Sequence, residues 1–565
     1  MEKAHAIQKN NTWYIPQTDM KDLKTCMKGL TRMLVPTIGP ILVSCIIGAI
    51  QIAASLAFVW VSKVLVDIAS GASGKDLGTH VVLMIVIMLV QLIGRLGANW
   101  WEGWFTTKSA IQMRRQYFNH VMRSEWTGRD SFHSADTINR LEEDIRVVND
   151  LICTRVPACF ITVCQFIAAA IYMFTLQPAL LWVLVILMPV AVIGSKMFFK
   201  TIRNLTAKIR ALDSELQGHM QENLQNRILV KTMAGMARVM ERMASLQDSI
   251  FGNTVKRMNY NAVARGFMGF GFSAGYCAAF LWGIFGIRSG AITFGTMTAF
   301  LQLVGQIQRP IADISRHIPA FIHSLTSVER LMELEDQPLE KENGPIRLDG
   351  VPGIRVSGMG FRYPEQKEPV FTAFSHTFEP GSVTAIMGAT GSGKSTLTRL
   401  ILALLKPADG SREIFDGNNC VPVCADTRCN FMYVPQGNSL MSGTIRENLL
   451  MADPEASEAK LREALHLAVA DFVMDLPEGL DSRCSEKGSG LSEGQAQRIA
   501  IARALLQEGG VLILDEATSA LDSETERTLI DRLSAHYSGH KTILWVTHRE
   551  AVTQFAGNIL KIGNH

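Results

Sequence analysis

Long stretches of this chain carry no charge. Asp, Glu, Lys and Arg are all missing from Met33 to Ser62, from Val156 to Ser195, from Gly266 to Ile287 and from Ser289 to Gln308. A bilayer core is crossed by about 20 apolar helical residues, so each stretch is long enough to span one. The second is interrupted at Gln177-Pro178, which makes it two spans joined by a tight turn; Val81 to Trp101, apolar apart from Arg95, adds another. The pattern therefore predicts six spanning helices. Polar, helix-like residues fill the gaps between the second and third spans and between the fourth and fifth, each gap several times the usual connection of about 4–6 residues. Beyond Gln308 the pattern changes. Short apolar runs such as Val383 to Met387 and Val511 to Leu514 read as buried strands of an α/β domain.

Basic residues set the orientation. Lys21, Lys24, Lys28 and Arg32 precede the first span and Arg114, Arg115, Arg123 and Arg129 follow the second, while the opposite connections hold little beyond Lys63, Lys75 and Arg288. The positive-inside rule puts the N-terminus in the cytosol, and six spans return the chain there, in a cytoplasmic (inner) membrane. A mean hydropathy of +0.15 over 565 residues agrees with a membrane protein, and a net charge of +3 is too small for a nucleic-acid partner. The first apolar run follows a polar leader of about 30 residues, so no cleavable signal is expected. Ten cysteines give no disulfide framework; Cys420, Cys424 and Cys429 are spaced for zinc but lack a well-placed fourth ligand, and reduced thiols are expected.

Candidate chemistry lies in the last third of the chain. Gly388 to Ser395 read G-A-T-G-S-G-K-S, directly after the Val383–Met387 run and before a helical stretch expected to end near Pro407. In such a strand-to-helix turn the glycines let backbone N–H groups close on phosphate oxygens. Lys394 reaches the terminal phosphates, Ser395 can hold Mg²⁺, and the helix N-terminus adds partial positive charge. Leu491 to Gln495 read L-S-E-G-Q, and the Val511–Leu514 strand ends in Asp515 and Glu516, placed to hold Mg²⁺ and to activate water.

The order of these three strings resembles the nucleotide-binding domain of ABC transporters, and the spans with their long cytosolic helices resemble the exporter-type half-transporter. The implied fold is an all-α six-helix transmembrane domain joined to an α/β P-loop domain. The expected boundaries are 1–32 for a cytosolic leader, 33–335 for the membrane domain, 336–346 for a linker and 347–565 for the ATPase. By this resemblance ATP is held by Tyr363 (adenine stacking), by Gly388, Ala389, Thr390, Gly391, Ser392, Gly393, Lys394, Ser395 and Thr396, and, from an opposite subunit, by Ser492, Gly494, Gln495 and Asp522. Glu516, His548 and Gln436 are the implied catalytic residues; Ser395, Gln436 and Asp515 the implied Mg²⁺ ligands. Ser131 to Asp136 and Lys231 to Arg238 would be the segments that couple the two domains.

Two departures stand out. Glu493 occupies the third position of the family's usual L-S-G-G-Q, and the single short apolar run after His548, Ile559 to Ile562, leads to the expectation that the family's usual closing helices are missing. The resemblance implies a dimer, with a second copy favoured over a different half-transporter, and export of an amphipathic lipid, peptide or drug-like substrate. An ATP-gated conduit and an importer on the same fold are the alternatives. Finally, Arg95, Lys196 and Arg309 sit about 15 to 20 residues from the outer ends of their spans, roughly 22 to 30 Å at 1.5 Å per residue, with Lys200 and Arg203 below. They are expected to form one basic layer near the inner leaflet, able to receive an anionic head group or simply to reach lipid phosphates; Asp313 is placed to neutralise Arg309.

Overall fold

The computed structural model describes residues 23–126, 134–183, 197–363, 366, 368–484 and 490–563. The chain divides into two compact units, residues 1–118 with 135–335, and residues 119–134 with 336–565.

The first unit is helical. Its elements are α1 (Leu23–Leu34), α2 (Ile38–Ala69), α3 (Leu77–Arg123), α4 (Asp136–Leu176), α5 (Phe199–Gln225), α6 (Arg227–Thr232), α7 (Met236–Arg288) and α8 (Phe294–Glu335). Of the expected spans, α2, α3, α4 and α7 carry four on helices long and apolar enough to cross a membrane. The stretch after Pro178 lies, from residue 184 to 196, outside the described residues, and Ser289–Gln308 leads into the 42-residue α8. Only 6% to 22% of the most apolar window of each spanning helix is buried, so the apolar faces look outward, as a lipid-solvated bundle requires. What the bundle does bury is centred on α8: Phe300, Leu303 and Ile307 pack against Val59 of α2, Met173 of α4 and Ala279 of α7.

The long polar stretches are continuous helix. α5 and α7 pack side by side, held by an Arg242–Glu215 ion pair and by His219 against the Val239 carbonyl at 3.1 Å. The start of α4 is wound through two π-helical turns, Arg140–Asp144 and Leu151–Arg155. There Arg140 pairs with Asp136 (2.8 Å) and Glu333 (2.7 Å), and Arg330 with Asp136 (2.8 Å) and Asp144 (3.2 Å), locking α4 to the end of α8.

The second unit is an α/β domain with two principal sheets. An antiparallel sheet in the order β2-β1-β4-β5 combines β1 (Gly353–Phe361), β2 (Phe371–Phe378), β4 (Asp409–Phe415) and β5 (Cys420–Pro422). A five-stranded parallel sheet, β11-β3-β10-β9-β6, is made of β3 (Val383–Met387), β6 (Phe431–Val434), β9 (Val511–Asp515), β10 (Thr542–Val546) and β11 (Asn558–Lys561). A two-stranded ribbon pairs β7 (Gly443–Thr444) with β8 (Arg483–Cys484). Successive side chains of a strand point to opposite faces, and here both faces are apolar. Met432, Leu512, Leu514 and Trp545 enter one core, whereas Phe431, Val511, Ile513, Leu544 and Val546 enter the other. Five helices surround these sheets: α9 (Lys394–Ile401), α10 (Ile445–Leu450), α11 (Glu458–Leu467), α12 (Glu493–Leu505) and α13 (Ser523–Tyr537).

The helix after the glycine-rich loop stops at Ile401, short of Pro407. Ala403 adopts a left-handed φ of 54°, the N–H groups of Leu404 and Leu405 turn back to the Arg399 carbonyl, and Arg412 donates to the Leu400 and Leu405 carbonyls. The arginine supplies the donors that another helical turn would have provided.

At the head of β10, the fully buried Thr542 hydroxyl donates to the Pro352 carbonyl (2.6 Å) and accepts the Gly381 N–H (2.9 Å), tying β10 to the chain on either side of β1 and β2. Thr542→Val keeps the shape and strips both bonds. The variant is expected to lose about 1–3 kcal/mol of stability in the second unit, measured as a lowered urea midpoint.

Candidate functional site

β3, β9 and β10 lie side by side and parallel, so their C-terminal ends fall on one edge of the sheet. Everything the sequence marked for phosphate chemistry, apart from the 492–495 group, leaves from this edge or stands next to it.

The loop after β3 is shaped by its glycines. A Cβ on Gly388 would lie 2.2 Å from the Ile562 carbonyl, and Gly393, with φ of 99° at the N-cap of α9, has the Val370 side chain 2.7 Å from where a Cβ would be. Only glycine fits either place. Lys394 is buried, and its ammonium donates to the carbonyls of Gly388 (2.9 Å) and Ala389 (3.0 Å), so it lies folded along the loop that it closes. Ser392 Oγ is buried with no hydrogen-bond partner. Thr396, in the first turn of α9, shares a 3.2 Å hydrogen bond with the Tyr363 hydroxyl, and the Tyr363 ring stands edge-on to Phe361 with centroids 4.9 Å apart. The aromatic is thus tied to the phosphate loop.

At the end of β9, Asp515 is 2% exposed. The Tyr433 hydroxyl donates to its Oδ2 at 3.5 Å, the Ser395 side chain stands close by, and its Oδ1 has no partner. Burial and the adjacent Glu516 push the Asp515 carboxyl up to about 6. An orphaned carboxylate oxygen beside a serine hydroxyl is an oxygen donor set suited to a hard divalent cation. Glu516 has φ of 48°, a left-handed conformation that strains a non-glycine residue, and it is held there by its N–H on the Val546 carbonyl (3.0 Å). Gln436 Nε2 donates to Glu516 Oε2 at 2.6 Å. Two residues beyond Val546 on β10, His548 is exposed at the same sheet edge.

The L-S-E-G-Q residues are placed otherwise. Ser492 caps α12 and forms a reciprocal box with Gln495: Ser492 Oγ accepts the Gln495 N–H (3.2 Å), and Gln495 Oε1 accepts the Ser492 N–H (2.9 Å). Glu493 is the first helical residue, where an acid complements the helix dipole. Gly494 approaches the 519–522 loop, since a Cβ there would lie 2.8 Å from the Ala520 carbonyl. Among the described residues, none of Ser492, Gly494 and Gln495 hydrogen-bonds the 388–396 loop. Asp522 caps α13, accepting the Thr525 N–H at 2.9 Å.

Residues that the sequence did not announce hold these pieces together. Gln497 is buried, donates to Ser519 Oγ (3.0 Å) and accepts the Ala520 N–H (3.1 Å), locking α12 to the 519–522 loop. Arg549 donates to the carbonyls of Leu521 (3.0 Å) and Ser519 (2.8 Å) and pairs with the buried Glu526 (3.0 Å). Gln497 lies two places past Gln495 and Arg549 one past His548; the signal was adjacency alone. Before the expected coupling segment Ser131–Asp136, of which 131–133 lie outside the described residues, Glu125 and Trp126 sit in the second unit. Glu125 donates its N–H to Pro338 (2.8 Å) and pairs with Lys406, and the Arg399 guanidinium of α9 stacks over Trp126 at 4.9 Å. The other segment, Lys231–Arg238, forms the turn between α6 and α7.

Comparison with known proteins agrees with this architecture. The ABC transporter transmembrane region matches residues 41–311, and the ABC transporter ATP-binding region matches 371–519. A multidrug export ATP-binding/permease protein of Bacillus subtilis is 27% identical over 559 residues, 95% of this chain and 96% of its own length. One of the same description from Staphylococcus aureus is 28% identical over 467 residues, covering 82% and 80% of the two chains. A bacterial Atm1-family ABC exporter solved with ATP bound shares the fold, with a TM-score of 0.77 over 93% of this chain and 94% of that one at 22% identity. The chain is a helical membrane domain fused to an ATP-binding cassette, and it belongs to the ABC transporter family as an ATP-hydrolysing membrane transporter.

Proposed function

We propose that two copies of this chain form an exporter of amphipathic molecules from the cytosolic side of the inner membrane, with both termini in the cytosol. The observation that carries the reading is the end of β9, where buried Asp515 keeps an unpartnered oxygen near Ser395 and Gln436 donates to the next residue, Glu516. ATP is cradled by the 388–396 loop, with Tyr363 against the adenine. Mg²⁺, held by Ser395, Asp515 and Gln436, would neutralise phosphate charge. Glu516 accepts a proton from the attacking water, oriented by its strained backbone and by Gln436, while Lys394 and His548 stabilise charge on the transferring phosphoryl group.

The second copy is supported by two features. Ser492, Gly494 and Gln495 make no hydrogen bond to the loop of their own chain among the described residues, so they are free to complete a phosphate site on another, with Asp522 beside it. The α6–α7 turn also leaves Ile228, Met233 and Met236 between 53% and 80% exposed, an apolar tip suited to docking on a partner's ATP-binding unit. The two relatives described as multidrug exporters support an amphipathic substrate.

Glu516→Gln should keep ATP binding and lose turnover by about a hundredfold or more, because the amide cannot take the water's proton. Mass photometry in lipid discs should show ATP holding that variant as a dimer. Near-parental hydrolysis by the variant, or a monomer with ATP, would contradict the assignment.

The raised Asp515 pKa gives a second test. The folded value, about 6, exceeds the unfolded carboxylate's, about 3.9, so the group costs stability that appears as pH rises through 6; below about 4 both states are protonated. The difference corresponds to at most about 3 kcal/mol. Asp515→Asn should therefore unfold at higher temperature than the parent without metal at pH 7.5, with the gap reduced to roughly a third at pH 4.5. In the presence of ADP, Mg²⁺ should stabilise the parent more at pH 7.5 than at pH 5, and the variant at neither.

A further inference from the structure

A cavity of about 280 Å³ opens within the first unit between α2, α3, α4 and α8. Its wall is polar although it lies among the spans: Gln51 and Ser55 from α2, Gln91 and Arg95 from α3, Gln165 from α4, and Gln306 and Arg309 from α8. Three of the amides are already engaged between helices, Gln51 donating to Gly94 (2.9 Å), Gln91 to Ala54 (3.0 Å) and Gln306 to Ser55 (2.9 Å), which fixes the wall. Gln306 Oε1 is buried without a partner. Arg95 and Arg309 are exposed and line the cavity, and among the described residues neither forms an ion pair, the expected Arg309–Asp313 pair included; Lys196 lies outside those residues. Two guanidiniums at membrane depth with no counter-ion among the described residues are suited to an anion.

The next turns of α2 and α4 are different. A second hollow of about 610 Å³ is lined by Leu56, Ala57 and Trp60 of α2 and by Ala168, Ile171 and Tyr172 of α4. On α2 the stripe Ile52-Leu56-Trp60, and on α4 the stripe Gln165-Ala168-Tyr172, run from the polar cavity into the apolar one. Both helices run outward in the inside-positive orientation, so the polar end is nearer the cytosol.

From this arrangement we infer that the two hollows form one oriented subsite for an amphiphile. The oxyanion head group is held by Arg95 and Arg309, with its hydroxyl or N–H donated to Gln306, and the chain lies outward against Leu56, Trp60 and Ile171. The inference rests on the export reading and deepens it by naming the substrate class as anionic single- or double-chain amphiphiles. Each charge-assisted hydrogen bond in such a site contributes about 1.5–3 kcal/mol, which corresponds to roughly tenfold or more in affinity.

The test is binding without nucleotide, by the full chain in phosphatidylcholine discs, of a dansylated undecanoic acid and of its uncharged methyl ester. The acid should bind at least about tenfold more tightly than the ester. That preference should fall below about threefold in Arg95→Gln and in Arg309→Gln and be largely kept in Arg309→Lys, which preserves the charge. Circular dichroism and monodispersity establish that the variants fold. Competition by added phosphatidylglycerol identifies a lipid head group as the source of the anion, and its absence identifies a soluble amphiphile; both support the subsite. Equal binding of acid and ester by the parent overturns it, as does a preference unchanged in both glutamine variants. A parent that hydrolyses no ATP in lipid overturns the transport reading instead, and does so without altering the binding result.

Discussion

An apolar strand that ends in two adjacent carboxylates is expensive to fold, and the second unit is arranged around that expense. β9 is buried along its whole length in the middle of a parallel sheet, and Asp515 remains buried while Glu516 is forced into a left-handed backbone. Nothing in local propensity favours this. Neighbours make it tolerable: the Tyr433 hydroxyl on Asp515, the Gln436 amide on Glu516, and the Val546 carbonyl on the Glu516 N–H. The Asp515 oxygen left over, and the orphaned Ser392 hydroxyl in the adjoining loop, mark where a ligand completes the hydrogen bonding.

The same logic holds for the neighbouring parts of the domain. Gln497 and Arg549 contribute little to the cores, but each binds the 519–522 loop, one to α12 and the other to the end of β10, so these chain-distant segments are tied together. Trp126 beneath Arg399 brings residues from the end of α3 against the helix that begins at the phosphate loop.

In the first unit the constraint is reversed. Apolar surface is cheap there because lipid solvates it, and polar atoms need protein partners. The glutamines of α2, α3 and α8 meet that need by bonding across helices, whereas Arg95 and Arg309 form no ion pair among the described residues. Polar groups left without partners stand out more sharply against a hydrocarbon background than they would in water.

The glycine-rich loop, the acids after β9 and the apolar runs of the membrane helices were all legible in the sequence, because each is local: phosphate needs consecutive backbone N–H groups, and a span needs consecutive apolar residues. The doubly buried strands were legible for the same reason, as short runs without polar alternation. Tertiary structure alone decided which residues serve those pieces. Gln497, Arg549 and Trp126 belong to no contiguous pattern, and their roles follow from loops and strand ends that meet only after folding. The early stop of α9 is supported by Arg412, more than ten residues beyond it, reaching back to the carbonyls of Leu400 in its last turn and of Leu405 just after it. Sequence placed Arg95 and Arg309 at a similar depth by counting helical rise. Only the packing of four helices could show that they share one cavity with glutamines and, among the described residues, with no acid, since depth follows from residue number and azimuth and neighbours follow from contact.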